Sequence, residues 1–496
     1  IPSSDKLINE TMEFTAVIVC GKGKALSPFS QIRSTGIPKA LLPIANKPMV
    51  QYVLDWCFQA NFAKVVVVSE GEETIKKSIE SAVNSFQEQY NKKEKEPNQV
   101  IPNVEVISFD CENNGSIMYE LYQLYNKGDL VSKNFILLPC DLITNLPPQV
   151  IIEAYRNKED SDLGLFIAYK NQLDIEDKKN KIFPNNYTIY SENDAHGHDN
   201  PVLLDVYNYQ DIEFHQALSI RTQMCWRYPA STVSNKLLNS GIFIGSCKDI
   251  FKIFDESKEK HNEAYFEKRS LVKIIRDLSR RSWKHSQIKE NVGLFIVPKE
   301  ATFFRSNNLP VLMEANRYFM KLQAMSKAGA SQQQQQQPKK QDNKPTGAHI
   351  GNDSLVGENT ELGERTNVKR SVIGSNCKIG KKNRITGCLI LDNVEIGDDV
   401  TLENCIIGHD VIIQTKCKLT SCNVESTNEV VTNTQAKNTN LLCLTLEGLV
   451  DGEEYAVDSS DELDEEDSDE DESTDDEEES EFEDEYTGNE DGLFAY

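Results

Sequence analysis

Short apolar runs alternate with amphipathic stretches over the first two thirds of the chain. Seven runs have the length and composition of buried strands, at 16–19, 65–68, 104–107, 135–138, 163–168, 202–206 and 241–244. Between several of them apolar residues recur at helical spacing, as in Met49–Phe58 and 116–125. This alternation predicts an α/β domain at residues 12–325 with a largely parallel, doubly wound sheet. Ligands of such sheets bind at the carboxyl ends of the strands.

A different pattern fills residues 350–432, where aliphatic residues recur in three rows with a period of 17. The rows are Val356, Ile373, Ile390, Ile407 and Val424; Leu362, Ile379, Ile396, Ile413 and Val430; and Val368, Ile385, Leu402 and Leu419. They predict a triangular coil whose inward side chains stack on their equivalents in the next coil. Glycine follows many of these positions, and we expect it to form corners that a Cβ would strain. The hexapeptide-like spacing resembles left-handed parallel β-helices, and the expected handedness comes from that resemblance.

The remaining segments are linkers or extensions. Residues 326–349 contain six consecutive Gln flanked by Ala, Gly, Pro and Lys, a composition that predicts a linker. Met12 fits a natural start, which would make residues 1–11 an extension. Residues 433–496 are predicted to form a C-terminal extension.

The charge of the chain is concentrated at its end. The net charge is −26, and residues 451–496 contain 25 Asp and Glu with no Lys or Arg. The other 450 residues carry 53 basic and 54 acidic groups, so the predicted folded body is nearly neutral. The acidic tail is expected to be disordered, either as a solubilising polyelectrolyte or as a bait or shield for a basic partner. Direct nucleic-acid binding is not expected, because phosphate contacts normally need a basic face.

The twelve cysteines show no zinc-ligand spacing, so we expect neither a metal site nor a disulfide framework. We expect no signal peptide and no membrane span, since the first apolar run is short and has no basic leader. The thiols are then reduced core residues of a cytosolic protein.

The loop after the first predicted strand carries the candidate chemistry. Residues 20–28, CGKGKALSP, and the later pair Pro38-Lys39 resemble the G-G-x-G-T-R-L-x-P and P-K motifs of sugar-1-phosphate nucleotidyltransferases, which have a Rossmann-like domain. In that family the Gly-rich turn cradles phosphates, so the resemblance implies nucleotide contacts at Gly21, Gly23 and Lys39. It also implies Mg²⁺ binding at Asp141, just past a buried strand in ILLPCDLITNLPP.

Several residues depart from this motif. Ala25 stands at the Arg position, and a methyl group does not stabilise a transferring nucleotidyl group. Cys20 stands at the first Gly, and Cys140 replaces the Gly before the acidic residue. Gly21 and Gly23 can also simply close a turn, Lys39 can be a solvated charge, and Asp141 a cap. We therefore interpret the site as vestigial, with no catalytic residue and no cofactor.

A basic stretch at 267–290 is a candidate partner contact. Leu271, Ile274, Ile275 and Leu278 form an apolar stripe at helical spacing. The partner-binding candidates beside it are Arg276, Arg280, Arg281 and Trp283. The alternative is a core-facing helix with a solvated basic face.

The whole arrangement resembles the gamma-subunit family of eukaryotic translation initiation factor 2B, in its fungal form. The matching strings include YVLDWC, RDLSRRSW and ENCIIG, together with the acidic end containing DGLF. The resemblance implies a non-catalytic regulatory and scaffolding subunit that pairs with epsilon and promotes GDP/GTP exchange on initiation factor 2. It further implies a decamer with alpha, beta and delta subunits, a cytosolic location and a role in the integrated stress response. After the predicted β-helix only 433–450 and the tail follow, whereas the resemblance places a catalytic helical-repeat domain there in epsilon.

Two enzymatic alternatives stay open from the residues. One is an active GDP-mannose-type nucleotidyltransferase, which shares the same order of domains. The other is an acyltransferase built on the β-helix, with His349 or His409 as the candidate base.

Overall fold

The computed structural model describes residues 13–443 apart from 61, 93–101, 110–113, 131, 174, 176–181, 184–185, 194–196, 198, 210–211, 213–216, 286, 288 and 334–346. Met12, positions 334–346 of the predicted linker and the acidic tail therefore lie outside the described residues. Among the helices that are described, none combines the length and the apolar character needed to cross a bilayer.

Within the described part of the N-terminal domain there are fourteen strands, and ten of them form one sheet. The strands are β1 (Phe14–Cys20), β2 (Pro43–Ile44), β3 (Lys47–Pro48), β4 (Lys64–Glu70), β5 (Asn103–Phe109), β6 (Asn134–Pro139), β7 (Leu142–Thr144), β8 (Asp162–Lys170), β9 (Tyr187–Ser191), β10 (Val202–Tyr207), β11 (Thr232–Ser234), β12 (Leu237–Ser246), β13 (Asn291–Ile296) and β14 (Phe303–Arg305). The sheet has the order β11-β9-β10-β13-β8-β12-β6-β1-β4-β5, while β2 pairs with β3 and β7 with β14.

The direction of the strands corrects the prediction of a largely parallel sheet. The β5-β4-β1-β6 side is parallel, as is the β8–β13 pair. The other neighbours run antiparallel. Parallel neighbours need a long crossover, usually a helix, and no helix separates β8, β9 and β10 in the described residues. The prediction is therefore correct for one half of the sheet only.

Helices cover both faces of this sheet. They are α1 (Met49–Phe58), α2 (Glu73–Lys92), α3 (Ser116–Lys127), α4 (Pro148–Arg156), α5 (Thr222–Arg227), α6 (Cys247–Glu256), α7 (Glu263–Glu267), α8 (Leu271–Lys284) and α9 (Leu309–Gln333). Ala16 and Ile18 of β1 pack with α1, α2 and α4, whereas Val17 packs on the other side with α3, α6 and α8. Successive strand residues point to opposite faces, so the continuous apolar runs are buried on both sides.

The second domain is a rod at residues 349–441, built from three parallel sheets. Sheet I contains β15 (His349–Ile350), β18 (Asn367–Lys369), β21 (Arg384–Thr386), β24 (Thr401–Glu403), β27 (Lys418–Thr420) and β30 (Gln435–Lys437). Sheet II contains β16 (Leu355–Val356), β19 (Val372–Ile373), β22 (Leu389–Ile390), β25 (Ile406–Ile407), β28 (Asn423–Val424) and β31 (Asn440–Leu441). Sheet III contains β17 (Glu361–Leu362), β20 (Lys378–Ile379), β23 (Glu395–Ile396), β26 (Ile412–Ile413) and β29 (Glu429–Val430). The three predicted rows form its core, in register from coil to coil.

The glycines of the rod have a different role from the one predicted. With the exception of Gly387, at φ 66°, the left-handed corner positions are occupied by polar residues such as Asn376 and Asn393. A Cβ at Gly374 would instead lie 2.4 Å from Asp392 Oδ1 and 2.6 Å from a backbone carbon of the next coil. These glycines allow coils to approach each other closely, while Asn, Asp, Lys, Arg, Ser and Thr residues supply the left-handed turns. Asn and Asp tolerate this conformation best, because their short polar side chains can bond to the local backbone.

Both predicted boundaries of the linker and rod shift. Helix α9 continues to Gln333, eight residues into the predicted linker, where Ala, Gln and Lys all favour helix. The rod extends past residue 432 to Leu441, because Ala436 and Leu441 continue two of the inward rows. The small side chain of Ala436 concealed this last coil in the apolar pattern.

Sheet II of the rod packs against the N-terminal domain. Its outward side chains Val372, Leu389 and Ile406 are buried in one cluster with Leu26, Phe29 and Leu42 of the opening loops and Val311 and Leu312 of α9. The amide of Asn46 also donates to the carbonyl of Ile373 at 2.9 Å. The two domains therefore share an apolar core.

A buried ion pair fixes the same interface. Arg33 Nε lies 2.5 Å from Glu425 Oε1, and the two side chains are 7% and 0% exposed. Glu425 also accepts hydrogen bonds from Thr35 Oγ1 at 2.6 Å and from the backbone N–H of Cys443 at 2.6 Å. One carboxylate thus ties together the opening loop, the fifth coil of the rod and the end of the described chain.

Replacing Glu425 by Gln leaves the Arg33 guanidinium buried without its countercharge. We expect a loss of about 3–5 kcal/mol in the free energy of unfolding, measured by urea denaturation followed by circular dichroism. Glu395→Gln is the control, because its pair with Lys378 at 2.9 Å is exposed and is worth less than about 1 kcal/mol. Equal, small losses in both variants would contradict this role for Glu425.

Candidate functional site

The predicted site residues meet in one cleft at the carboxyl ends of β1 and β6. Gly21 and Gly23 follow β1, Asp141 follows β6, and Lys39 begins a 3-10 helix at Lys39–Leu41. Gly23 has a left-handed backbone, and a Cβ there would lie 3.1 Å from that of Lys39. Gly23 is thus required by the close passage of Lys39, whereas a Cβ at Gly21 would meet only Glu70 at 3.9 Å.

The cleft has a volume of about 160 Å³ and a positive lining. Its charged side chains are Lys22, Lys24, Lys39, Arg305, Glu70 and Asp141, four cations against two anions. Lys22 pairs with Glu70 at 3.2 Å across the mouth, where burial raises the pKa of Glu70. Lys22, which lies three residues before the Ala25 that replaces the Arg of the motif, is therefore held by a carboxylate of the chain.

Asp141 is fully buried between two cations of the chain itself. Arg305 binds it in a bidentate manner, with Nε 2.9 Å from Oδ1 and a terminal nitrogen 3.1 Å from Oδ2. Lys39 Nζ lies 2.9 Å from Oδ2, and its side chain is only 4% exposed. Burial alone would raise the pKa of Asp141, but Arg305 and Lys39 outweigh it and hold the pKa well below its ordinary range.

This donor set does not fit Mg²⁺, which the resemblance places at Asp141. Both carboxylate oxygens already bind cationic groups, and a divalent ion beside them would face two fixed positive charges. Magnesium sites in proteins use carboxylates, waters and phosphates. No group of three or more His, Cys, Asp or Glu side chains is placed to hold a metal among the described residues. Arg305 and Lys39 therefore neutralise the carboxylate that the resemblance assigns to Mg²⁺.

Two of the departures from the nucleotidyltransferase motif contact each other. The thiols of Cys20 and Cys140 are hydrogen-bonded, and both residues are buried beside Asp141. This hydrogen bond and burial raise the pKa of Cys20, so the thiol stays protonated. Because a thiolate is the reactive form of cysteine, the protonated thiol of Cys20 is a weak nucleophile.

The candidate partner contacts on α8 are engaged within the chain. Arg280 Nε lies 3.2 Å from the buried carboxylate of Asp205, and Arg281 lies 3.0 Å from Glu290. Arg276 lies 3.8 Å from Asp277. Trp283 is 3% exposed, and its indole N–H donates to the carbonyl of Leu204 at 2.9 Å. This geometry favours the alternative interpretation, a helix packed on β10, and a partner contact at these residues stays a prediction.

Arg305 is the functional residue that the sequence pattern does not reveal. It ends β14, which pairs antiparallel with β7, so that Arg305 lies opposite Leu142. That pairing brings Arg305 next to Asp141, 164 positions earlier in the chain. No motif marks it; the only signal is a lone Arg ending the apolar pair Phe303-Phe304.

Comparison with known proteins agrees with both domains. Residues 15–175 match the family model described as nucleotidyl transferase, and residues 338–436 match that of the EIF2B subunit epsilon LbH domain. The chain is also 24% identical to translation initiation factor eIF2B subunit gamma of Schizosaccharomyces pombe, over 72% of this chain and 74% of that protein. The chain is thus similar to eIF2B gamma over most of its length. The resemblance predicted from the sequence is confirmed, as is a nucleotidyltransferase-like domain followed by a left-handed β-helix.

Removal of Arg305 tests the charge cluster. In Arg305→Met, Asp141 keeps only Lys39, and we expect the free energy of unfolding to fall by about 3–5 kcal/mol at pH 7. A carboxyl whose pKa is lowered in the folded state adds stability above its unfolded pKa of about 3.9 and loses it below. The difference in the free energy of unfolding between wild type and variant should therefore shrink as the pH falls from about 5 towards 2.

The matched control is Arg156→Met, since Arg156 pairs with Glu13 and Glu153 and is 46% exposed. We expect a loss below about 1 kcal/mol for this variant. Urea denaturation at several pH values measures both. If the loss in the free energy of unfolding caused by Arg305→Met does not change with pH, Asp141 is not the group that Arg305 stabilises.

Proposed function

We propose that the chain is a non-catalytic, regulatory and scaffolding subunit of the cytosolic eIF2B complex. In this role it pairs with the epsilon subunit and promotes GDP/GTP exchange on initiation factor 2. The alpha, beta and delta subunits would complete the assembly. Similarity to eIF2B gamma supports the regulatory role, and the enclosure of Asp141 by Lys39 and Arg305 is the observation that supports the absence of catalysis.

The cleft offers little to nucleotidyl transfer. Such a reaction needs cations that face the charge developing on the transferring group. Here Lys39 and Arg305 face a carboxylate of the chain, and Ala25 occupies the Arg position of the motif. The net positive lining is still compatible with an anion resting in the cleft, which is the sense in which the site is vestigial. An active nucleotidyltransferase is therefore not favoured.

The rod supports an assembly role. One of its three sheets is covered by the N-terminal domain, and two long, nearly flat sheets face outward. Paired subunits with similar rods can bury such faces against each other. His349 is exposed on the first coil, and the buried Nε2 of His409 has no hydrogen-bond partner among the described residues, so neither supports the acyltransferase alternative.

Pairing and exchange can be tested together. Co-expression with an epsilon-type subunit should give a stable complex on affinity purification and gel filtration. This complex should release labelled GDP from initiation factor 2 faster than epsilon alone. We expect deletion of 351–432 to abolish pairing, whereas a chain ending at Val450 retains it and controls for loss of the acidic tail.

Stable pairing after the rod deletion would show that the rod is dispensable for it. Absence of pairing by the full chain, or exchange by epsilon that the chain does not change, would contradict the proposed function.

A further inference from the structure

Charge is distributed unequally between the two outward sheets of the rod. We define the basic face as the outward side chains of sheet I and the left-handed corner residues that flank its strands. Its basic members are all exposed: Arg365, Lys369, Arg370, Lys382, Arg384, Lys416, Lys418 and Lys437. Its acidic members are Asp399 and Glu403, so eight positive charges stand against two negative ones.

Sheet III has the opposite character. Its outward positions are Glu361, Lys378, Glu395, Ile412 and Glu429. Lys378 is neutralised there by Glu395 at 2.9 Å. The basic face is therefore a local feature of one sheet and not a general property of the surface, since the chain before residue 451 is almost neutral.

The charges of the basic face lack local compensation. None of its eight cations forms an ion pair with a carboxylate of the residues that the structure describes. Parallel strands lie about 4.8 Å apart, so the row from Lys369 to Lys437 extends roughly 19 Å along the rod. The strand cations of this face lie opposite Thr, Asn or Gln residues of the adjacent coils, so the positive charges are spread along the rod. A face with this spacing favours a flexible polyanion that can contact several cations at once.

The chain itself contains such a polyanion. Residues 451–496 carry 25 carboxylates and no Lys or Arg. They begin eight positions after Cys443, whose backbone N–H is held by Glu425 at the last coils of the rod. Seven intervening residues span up to about 25 Å when extended, enough to pass from one face of the rod to another. Tethering also keeps the tail at an effective concentration near the millimolar range.

We propose that the acidic segment 451–496 docks on the basic face in cis. Docking of this kind needs no fixed fold of the segment, because the contacts are long-range and interchangeable. It shields the basic face from other polyanions, so an acidic partner surface or a nucleic acid must displace it. The inference does not depend on the proposed function, because it uses only charge and connectivity within this chain.

Zero-length carbodiimide cross-linking of the full chain tests the contact directly. Equal amounts of ¹⁴N- and ¹⁵N-labelled protein are mixed, cross-linked and analysed by mass spectrometry. We expect links from 451–496 to Lys369, Lys382, Lys416, Lys418 and Lys437, within one isotopic species, and their loss in ~0.5 M NaCl because the contacts are screened. Links joining the two isotopic species would assign the face to a second copy, and links spread evenly over all exposed lysines would show no docking.

Charge reversal supplies the matched comparison. In a triple variant with Lys369→Glu, Arg384→Glu and Lys418→Glu, the cross-links from the tail to Lys437 should fall at least about fivefold. The reason is that three repulsive charges replace attractive ones on the same sheet. Lys378→Glu, on sheet III, should leave them unchanged. Circular dichroism confirms folding of each variant, and equal cross-linking of both would overturn the proposal.

Oligonucleotide binding measures whether the acidic tail covers the basic face. A chain ending at Val450 should bind a fluorescent single-stranded oligonucleotide at low salt at least about tenfold more tightly than the full chain does. The same truncation carrying the three reversals should lose that binding. Equal affinity of the full and truncated chains would show that the tail does not cover the face.

Discussion

A buried carboxylate must be neutralised by its surroundings, and Asp141 is neutralised by two cations from distant parts of the chain. Lys39 comes from the loop after β1 and Arg305 from the strand that pairs with β7. The three residues lie where the first half of the sheet presents its carboxyl ends, the usual place for a ligand. Any group that competes for Asp141 would have to separate these charges in a poorly solvated site, which is costly. The cluster therefore holds the loop after β1 and the β7–β14 pair together at the base of the cleft.

The rod gives the protein two further surfaces beside the N-terminal domain. Its three sheets have three different surfaces: sheet II is apolar and buried on the N-terminal domain, sheet I is basic and sheet III is acidic. Burial of Glu425 with Arg33 fixes the orientation of the rod, since one carboxylate receives contacts from the opening loop, the rod and Cys443. The two outward faces therefore have a fixed orientation relative to the N-terminal domain.

Local pattern was sufficient for seven strands of the ten-stranded sheet and for the repeat, but it did not mark β9, β11 or β13. Runs of Val and Ile marked β1, β4 and β6, and the period of 17 predicted the stacking of Ile373 on Ile390. Such features depend on residues close in sequence, or on a repeat that makes distant contacts periodic. The direction of the strands beyond β8 did not follow, because it depends on connections that carry no helix.

The site was predictable only in part, because its decisive contacts join distant residues. The motif located Gly23, Lys39 and Asp141 but gave no sign of Arg305, which strand pairing brings to Asp141. The same holds for Arg33 and Glu425, 392 positions apart. Conversely, the sequence suggested that the arginines of α8 bind a partner, whereas in the structure Arg280 and Arg281 pair with Asp205 and Glu290.

The most direct test of the account is a pyrophosphate-release assay on the purified full chain. It would combine nucleoside triphosphates, a set of sugar-1-phosphates and Mg²⁺, with Asp141→Asn as the comparison. If Arg305 and Lys39 have replaced catalysis by an internal charge cluster, wild type and variant will both remain at the background rate. Turnover by the wild type that Asp141→Asn abolishes would contradict the account and show that the cleft is an active enzyme.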